Sequence, residues 1–85
     1  MATVILTPDA KLQFDALPIV IRTRMTGIFE RLARWPDVAG AKPLRGKLKG
    51  HFRVRTGDYR VQFRVTGDEV SVNRVGHRDR FYDDQ

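Results

Sequence analysis

Arginine recurs at alternate positions in two neighbouring stretches, His51-Phe52-Arg53-Val54-Arg55 and Tyr59-Arg60-Val61-Gln62-Phe63-Arg64-Val65. Alternation is the two-residue period of a strand with one buried face. Phe52 and Val54 fall on one face with Tyr59, Val61, Phe63 and Val65, while Arg53, Arg55, Arg60, Gln62 and Arg64 fall on the other. Thr56, Gly57 and Asp58 between the runs predict a tight three-residue hairpin loop. Pairing the runs gathers Arg53, Arg55, Arg60 and Arg64 on one surface, and like charges side by side on a sheet cost stability. Such a surface is either a solvated outer face whose arginine stems cover apolar ground, or a site for an anion. The planar guanidinium fork matches phosphate oxygens in pairs, so a polyphosphate backbone is the anion that best employs the set.

The charge distribution agrees. The 85 residues carry a formal +6. Residues 42–64 hold Lys42, Arg45, Lys47, Lys49, Arg53, Arg55, Arg60 and Arg64 against Asp58 alone, eight minus one, a local +7 that leaves the rest of the chain near neutral. A concentrated basic stripe is the footprint of a nucleic-acid binder and serves equally as a docking face for an acidic protein. There is no cysteine, hence no thiol nucleophile and no thiolate metal site. The only histidines, His51 and His77, stand in neither an HxxxH nor an HExxH pattern, so no metal or other cofactor is expected. No segment approaches the ~18 apolar residues of a membrane span, and no leader pattern opens the chain, so a cytoplasmic protein without membrane contact is expected.

The arginine face needs a layer behind it. Thr3-Val4-Ile5-Leu6 predicts a short strand. Thr7 then caps a helix over about 8–17 whose first residue is Pro8, with Asp9 in the first turn and Ala10, Phe14 and Leu17 on one stripe. Pro18 separates it from a second helix over about 19–35, whose stripe is Ile21, Met25, Ile28, Phe29, Leu32 and Trp35 and whose stop is Pro36. Trp35, Met25 and Phe29 at this spacing read as core rather than as a ligand pocket. Residues 36–50 form an ordered connection, with Leu44 and Leu48 as anchors and lysines that extend the basic stripe. Strands follow over about 51–56, 59–66 and 69–76, the last two joined by a turn at Thr66-Gly67-Asp68-Glu69. In the last strand Val70 and Val72, with Arg74, share one face, and Ser71, Asn73 and Val75 the other. The alternation fails at Arg74–Val75, where a bulge or an Arg74 folded over the sheet edge repairs the register. The result is an α+β fold of one domain over 1–85, a β-α-α-β-β-β order in which a strand and a helical hairpin pack on a mainly antiparallel twisted sheet. Phe14, Leu17, Ile21, Met25, Phe29, Leu32, Val54, Val61, Phe63 and Val72 are its expected core, and residues 83–85 an expected frayed end.

The run PLRGKLKGHFRVRTGDYRVQFRV, followed by RVGHRDRFY, resembles the RelE/ParE superfamily of bacterial toxins from type II toxin–antitoxin pairs. The resemblance covers nearly the whole chain, and GDYRVQF with VGHRDRFY carries most of it. It implies one of two activities. Members on the RelE side are ribonucleases that cut messenger RNA, usually on the ribosome. Members on the ParE side poison DNA gyrase and generally lack the catalytic set. Both are silenced by a small antitoxin, expected here to be acidic. By position, the family's basic pair corresponds to Arg53 and Arg55, its hairpin arginine to Arg60, the arginine after the last strand to Arg78 and the aromatic to Tyr82. His77 stands where relatives often carry histidine or lysine. Some ribosome-dependent relatives have lysines where this chain has Arg53 and Arg55, and arginine does not serve as a base as lysine can.

For the ribonuclease reading, RNA supplies its own nucleophile, the 2′-hydroxyl. The protein must take that proton, stabilise the phosphorane charge and protonate the 5′-oxygen. Arg60 and Arg78 are the candidates for the charge. Histidine suits proton transfer at neutral pH, and His77, beside Gly76 and Arg78, is expected ahead of His51. Tyr82 is expected to donate a proton or stack on a base. Arg53, Arg55, Arg64, Lys47 and Lys49 are expected to bind RNA. The competing readings are a gyrase poison and a non-catalytic module that binds RNA or antitoxin.

Overall fold

The computed structural model of the chain describes residues 1–82, Tyr82 by its backbone alone. The frayed end expected at 83–85 lies outside the described residues. In order come β1 (Thr3–Leu6), α1 (Pro8–Asp15), α2 (Ile19–Leu32), β2 (Lys42–Pro43), a 3-10 turn (Gly46–Leu48), β3 (His51–Thr56), β4 (Tyr59–Thr66), β5 (Glu69–His77) and α3 (Arg78–Tyr82). One five-stranded sheet runs β1-β5-β4-β3-β2, with β1 parallel to β5 and the other pairs antiparallel. The fold is α+β as expected, with α1 and α2 on the apolar face of the sheet.

The caps explain the helix limits. The Thr7 hydroxyl accepts from the Ala10 amide at 3.2 Å, and Pro8 opens α1 where no intrahelical donor is needed. The second helix stops at Leu32, three residues short of the expected Trp35. Beyond it the chain tightens into i→i+3 bonds, from Arg34 N–H to the Arg31 carbonyl and from Trp35 N–H to the Leu32 carbonyl, each 3.0 Å. Trp35 nonetheless joins the core, edge-on to Phe52 at 4.7 Å and to Phe63 at 5.5 Å between centroids.

Met25, Leu32, Val54, Val61, Phe63 and Val72 are buried as expected, and Ala10, Ile28, Val70 and Val75 complete the core. Phe14, Leu17, Ile21 and Phe29 are only half-buried at its margin, because the short α1 leaves the outer side of the helical hairpin open. The β3–β4 loop has two residues rather than three: Thr56 pairs with Tyr59, and Gly57 takes φ 59°, the left-handed value that the first position of such a turn requires. Gly67 does the same at φ 58° between β4 and β5.

The bulge lies at Asn73. Gln62 faces Arg74 and Phe63 faces Val72, so Asn73 is the extra residue. This corrects the strand's expected faces: Val75 turns into the core at 3% exposure, and Arg74 turns onto the arginine side beside Gln62. Two elements were not foreseen. Lys42–Pro43, expected as loop, adds an edge strand against Phe52–Arg53. Residues 78–82 form a single helical turn whose Phe81, 1% exposed, packs over Gly76; a Cβ on that glycine would sit 3.8 Å from the Phe81 ring. Among the described residues no helix is long and apolar enough to cross a membrane.

Candidate functional site: an arginine-lined sheet face

The register sets the side chains of the outer face in rows across the sheet. Lys42, Arg53, Gln62 and Arg74 form one row. Arg55, Arg60 and Gly76 form the next towards the β3–β4 turn, and His51, Arg64 and Ser71 the one on the other side. Gln62 separates Arg53 from Arg74 and donates to the Asn73 side-chain oxygen at 3.1 Å. A neutral amide between two guanidinium groups lowers the repulsion that a continuous cationic row would carry.

Arg60 is not a solvated surface arginine. It is 6% exposed, and its Nη1 donates to the carbonyls of Gly57 at 3.0 Å and of Tyr59 at 3.1 Å. Gln62 is 7% exposed. The arginine face is therefore partly covered, with Phe81 of α3 resting over Gly76, the cross-strand neighbour of Arg60. Arg78 begins α3 at the same turn. Its amide donates to the Asp58 carbonyl at 2.7 Å, and its Nε lies 3.9 Å from an Asp58 carboxylate oxygen and 3.8 Å from one of Asp79. Arg60 and Arg78 are thus both tied to the Gly57–Asp58 turn, one by side chain and one by backbone. Arg24 of α2 approaches that turn as well, its Nη1 3.7 Å from where a Gly57 Cβ would stand.

The other expected residues separate. Arg53 is half-buried, and Arg55 and Arg64 are exposed on the face. Lys47 and Lys49 are exposed in and just after the 3-10 turn, off the sheet. His77 pairs with Tyr59, which points to the helix side, so the two rings meet edge to face at 5.4 Å on the side away from Arg60. The His77 Nδ1 accepts from the Asp79 amide at 3.2 Å and lies 3.4 Å from an Asp79 carboxylate oxygen. With Nδ1 accepting, a neutral imidazole carries its proton on Nε2 and offers a donor there. His51 is the histidine on the arginine face, and its buried Nδ1 finds no hydrogen-bond partner among the described residues. The side chain of Tyr82 lies outside the described residues.

Sequence reasoning ranked His51 second and misplaced Arg74, and it passed over Arg24, which reaches the Gly57–Asp58 turn from the helix side. Arg74 was assigned to the wrong face because the bulge shifts parity by one, and nothing in residues 69–76 says which residue is the extra one. Arg24 lies off the apolar stripe of its helix, the ordinary place for a solvated arginine. His51 extends the alternation of Arg53 and Arg55 by one step, a signal that was present in the spacing. The assembled surface gathers several guanidinium groups, and two carbonyls of the β3–β4 turn fix the position of Arg60 within it. Among the described residues no group of three His, Cys, Asp or Glu side chains converges.

Known proteins of similar sequence and fold point to one family. Residues 4–82 match the model of the ParE toxin of type II toxin–antitoxin system, parDE. The toxin RelE3 of Methanocaldococcus jannaschii is 34% identical over 70 residues, which cover 79% of this chain and 80% of that protein. The toxin–antitoxin complex RelBE2 from Mycobacterium tuberculosis contains a chain 33% identical, with a TM-score of 0.80 over 89% of this chain and 96% of that one. The RelB–RelE antitoxin–toxin complex from Methanococcus jannaschii gives 26% identity and a TM-score of 0.78 over 93% and 95%. Family model, relative and folds converge, and the chain belongs to the RelE/ParE superfamily of toxins of type II toxin–antitoxin systems.

Proposed function

We propose that this chain, acting as one toxin domain, is a metal-independent endoribonuclease that cleaves messenger RNA on the ribosome in the cytoplasm. The observation that carries the reading is the buried Arg60, pinned by two carbonyls of the β3–β4 turn to which Arg78 is also tied. Donors fixed before charge develops stabilise a phosphorane more than mobile ones do. The 2′-hydroxyl attacks the adjacent phosphorus and releases its proton to water, the P–O5′ bond breaks as the 5′-oxygen takes up a proton, and a 2′,3′-cyclic phosphate and a 5′-hydroxyl result. Arg60 and Arg78 meet the phosphorane oxygens. His77, at the exit of β5 on the side of the sheet away from Arg60, reaches the leaving oxygen with Nε2–H only round the strand edge; His51, already on the arginine face, is the competing donor, and Tyr82 stacks on a base. Arg53, Arg55, Arg64, Lys47 and Lys49 hold the flanking phosphates. An acidic antitoxin neutralises the protein by lying across the same face.

A gyrase-poison reading retains one specific support: the matching family model carries the ParE name. Expression of the chain in a bacterial host, followed by examination of total RNA and plasmid topology, separates the two. Cleaved RNA is the expected result; intact RNA with trapped gyrase complexes selects the poison. Products made by the purified chain in the presence of a chelator test the chemistry. A 5′-phosphate end, or loss of activity on chelation, would rule out the metal-free 2′-hydroxyl route.

A further inference from the structure

At the edge of β5, beyond the end of β1, the structure contains a cavity of about 380 Å³. Here β5 meets α1 instead of another strand, and the outward Val75 amide donates to the Gln13 side-chain oxygen at 2.9 Å. Outward donors alternate along an antiparallel strand, so the His77 amide faces the same edge. The floor is apolar, from Leu17 and Val75. Tyr59 and His77 supply one aromatic wall, and Phe81 with the Arg74 guanidinium 4.4 Å above its ring supplies the other. Arg80 stands at the rim. Gly76 belongs both to this lining and to the row of Arg55 and Arg60, so the cavity adjoins the arginine face.

We propose that this cavity receives the base of the nucleotide next to the cleaved phosphate. This inference rests on the ribonuclease reading. Its volume lies near the lower end of the ~300–1,000 Å³ of small-molecule sites, the size for a single nucleoside rather than a longer ligand. Aromatic and guanidinium planes are the surfaces on which unpaired bases stack, and a strand edge offers amide donors and carbonyl acceptors to a base edge. A cationic rim beside the arginine rows admits the attached phosphate. The cavity thereby becomes the element that selects which base flanks the cut.

The test uses the full chain labelled with nitrogen-15. Each of the four nucleoside 5′-monophosphates, inorganic phosphate and an acidic peptide are titrated separately. Nucleotides are expected to shift the Gln13 side-chain amide and the backbone amides of Leu17, Gly76 and His77, whereas phosphate shifts the Arg55–Arg60 region alone. Ala16→Trp, at an exposed position lining the cavity, should abolish the cavity shifts and keep the phosphate response. Ala16→Leu is the smaller filler should the indole disturb folding. In mapped RNA cleavage the filled variant should lose a preference of about tenfold or more for one flanking base. The proposal is overturned by nucleotide shifts that coincide with those of phosphate, by cavity shifts from the acidic peptide and from no nucleotide, or by unchanged site preference in the filled variant. Absence of any RNA cleavage would defeat the ribonuclease reading, and the titration would still decide the cavity.

Discussion

Arg60 and His77 differ by how each side chain is held. Arg60 has two carbonyl partners and almost no exposure, so its loss removes a preorganised donor. We expect Arg60→Ala to reduce single-turnover cleavage at saturating RNA by about 10²–10³, as for other fixed oxyanion donors. Arg60→Lys should recover little, since a point charge does not reproduce the fork; a loss below tenfold in Arg60→Ala would remove Arg60 from the chemistry. His77 sits against Tyr59 with its Nδ1 engaged by the Asp79 amide. If it protonates the leaving oxygen, His77→Ala flattens one limb of the pH–rate profile. A profile that keeps its shape in His77→Ala and loses the limb in His51→Ala would move the proton carrier to the arginine face. The histidine types were legible in the sequence. Their faces were less so: His51 falls on the arginine side by simple parity, but the face of His77 depends on a bulge four residues earlier.

At the scale of elements, the β3–β4 hairpin was the most legible part, because strict alternation fixes both register and face. The added strand Lys42–Pro43 and the turn of helix Arg78–Tyr82 are too short to show a period, and both are held by their neighbours. That is why the covering of Arg60 and Gln62 could not be read in advance. The two tight turns give a matched prediction. Gly57→Ala and Gly67→Ala each place a Cβ where φ is near +60°. Each should cost about 1–2 kcal/mol in urea unfolding. Only Gly57→Ala should also impair cleavage, since the Gly57 carbonyl anchors Arg60. Equal impairment by both would mean that the loss follows stability rather than the anchor.

Across the whole molecule, the +7 of residues 42–64 is concentrated in one stretch of a chain whose other residues nearly balance. An antitoxin of the acidic kind proposed above would be steered to that stretch before contact, and salt would screen the steering. We expect the association rate measured by stopped flow to fall steeply between low and physiological ionic strength, with dissociation changing much less. An association rate insensitive to salt would argue for docking on an uncharged surface.

The parallel pair of β1 with β5 has a consequence for how the toxin is made. Thr3 lies opposite Glu69 and Leu6 opposite Val72, so 65 of the 85 residues intervene between paired positions. Closing so long a loop must precede any reward from the contacts it brings, which slows folding relative to the local β3–β4 hairpin. During synthesis the first strand therefore emerges without its neighbour and waits for nearly the last residues of the domain. The same late strand carries Gly76 and leads directly into Arg78, so the arginine surface cannot be complete on a nascent chain that still lacks β5. The toxin thus acquires its arginine surface only once β5 and Arg78 have been made and have folded onto the β3–β4 hairpin.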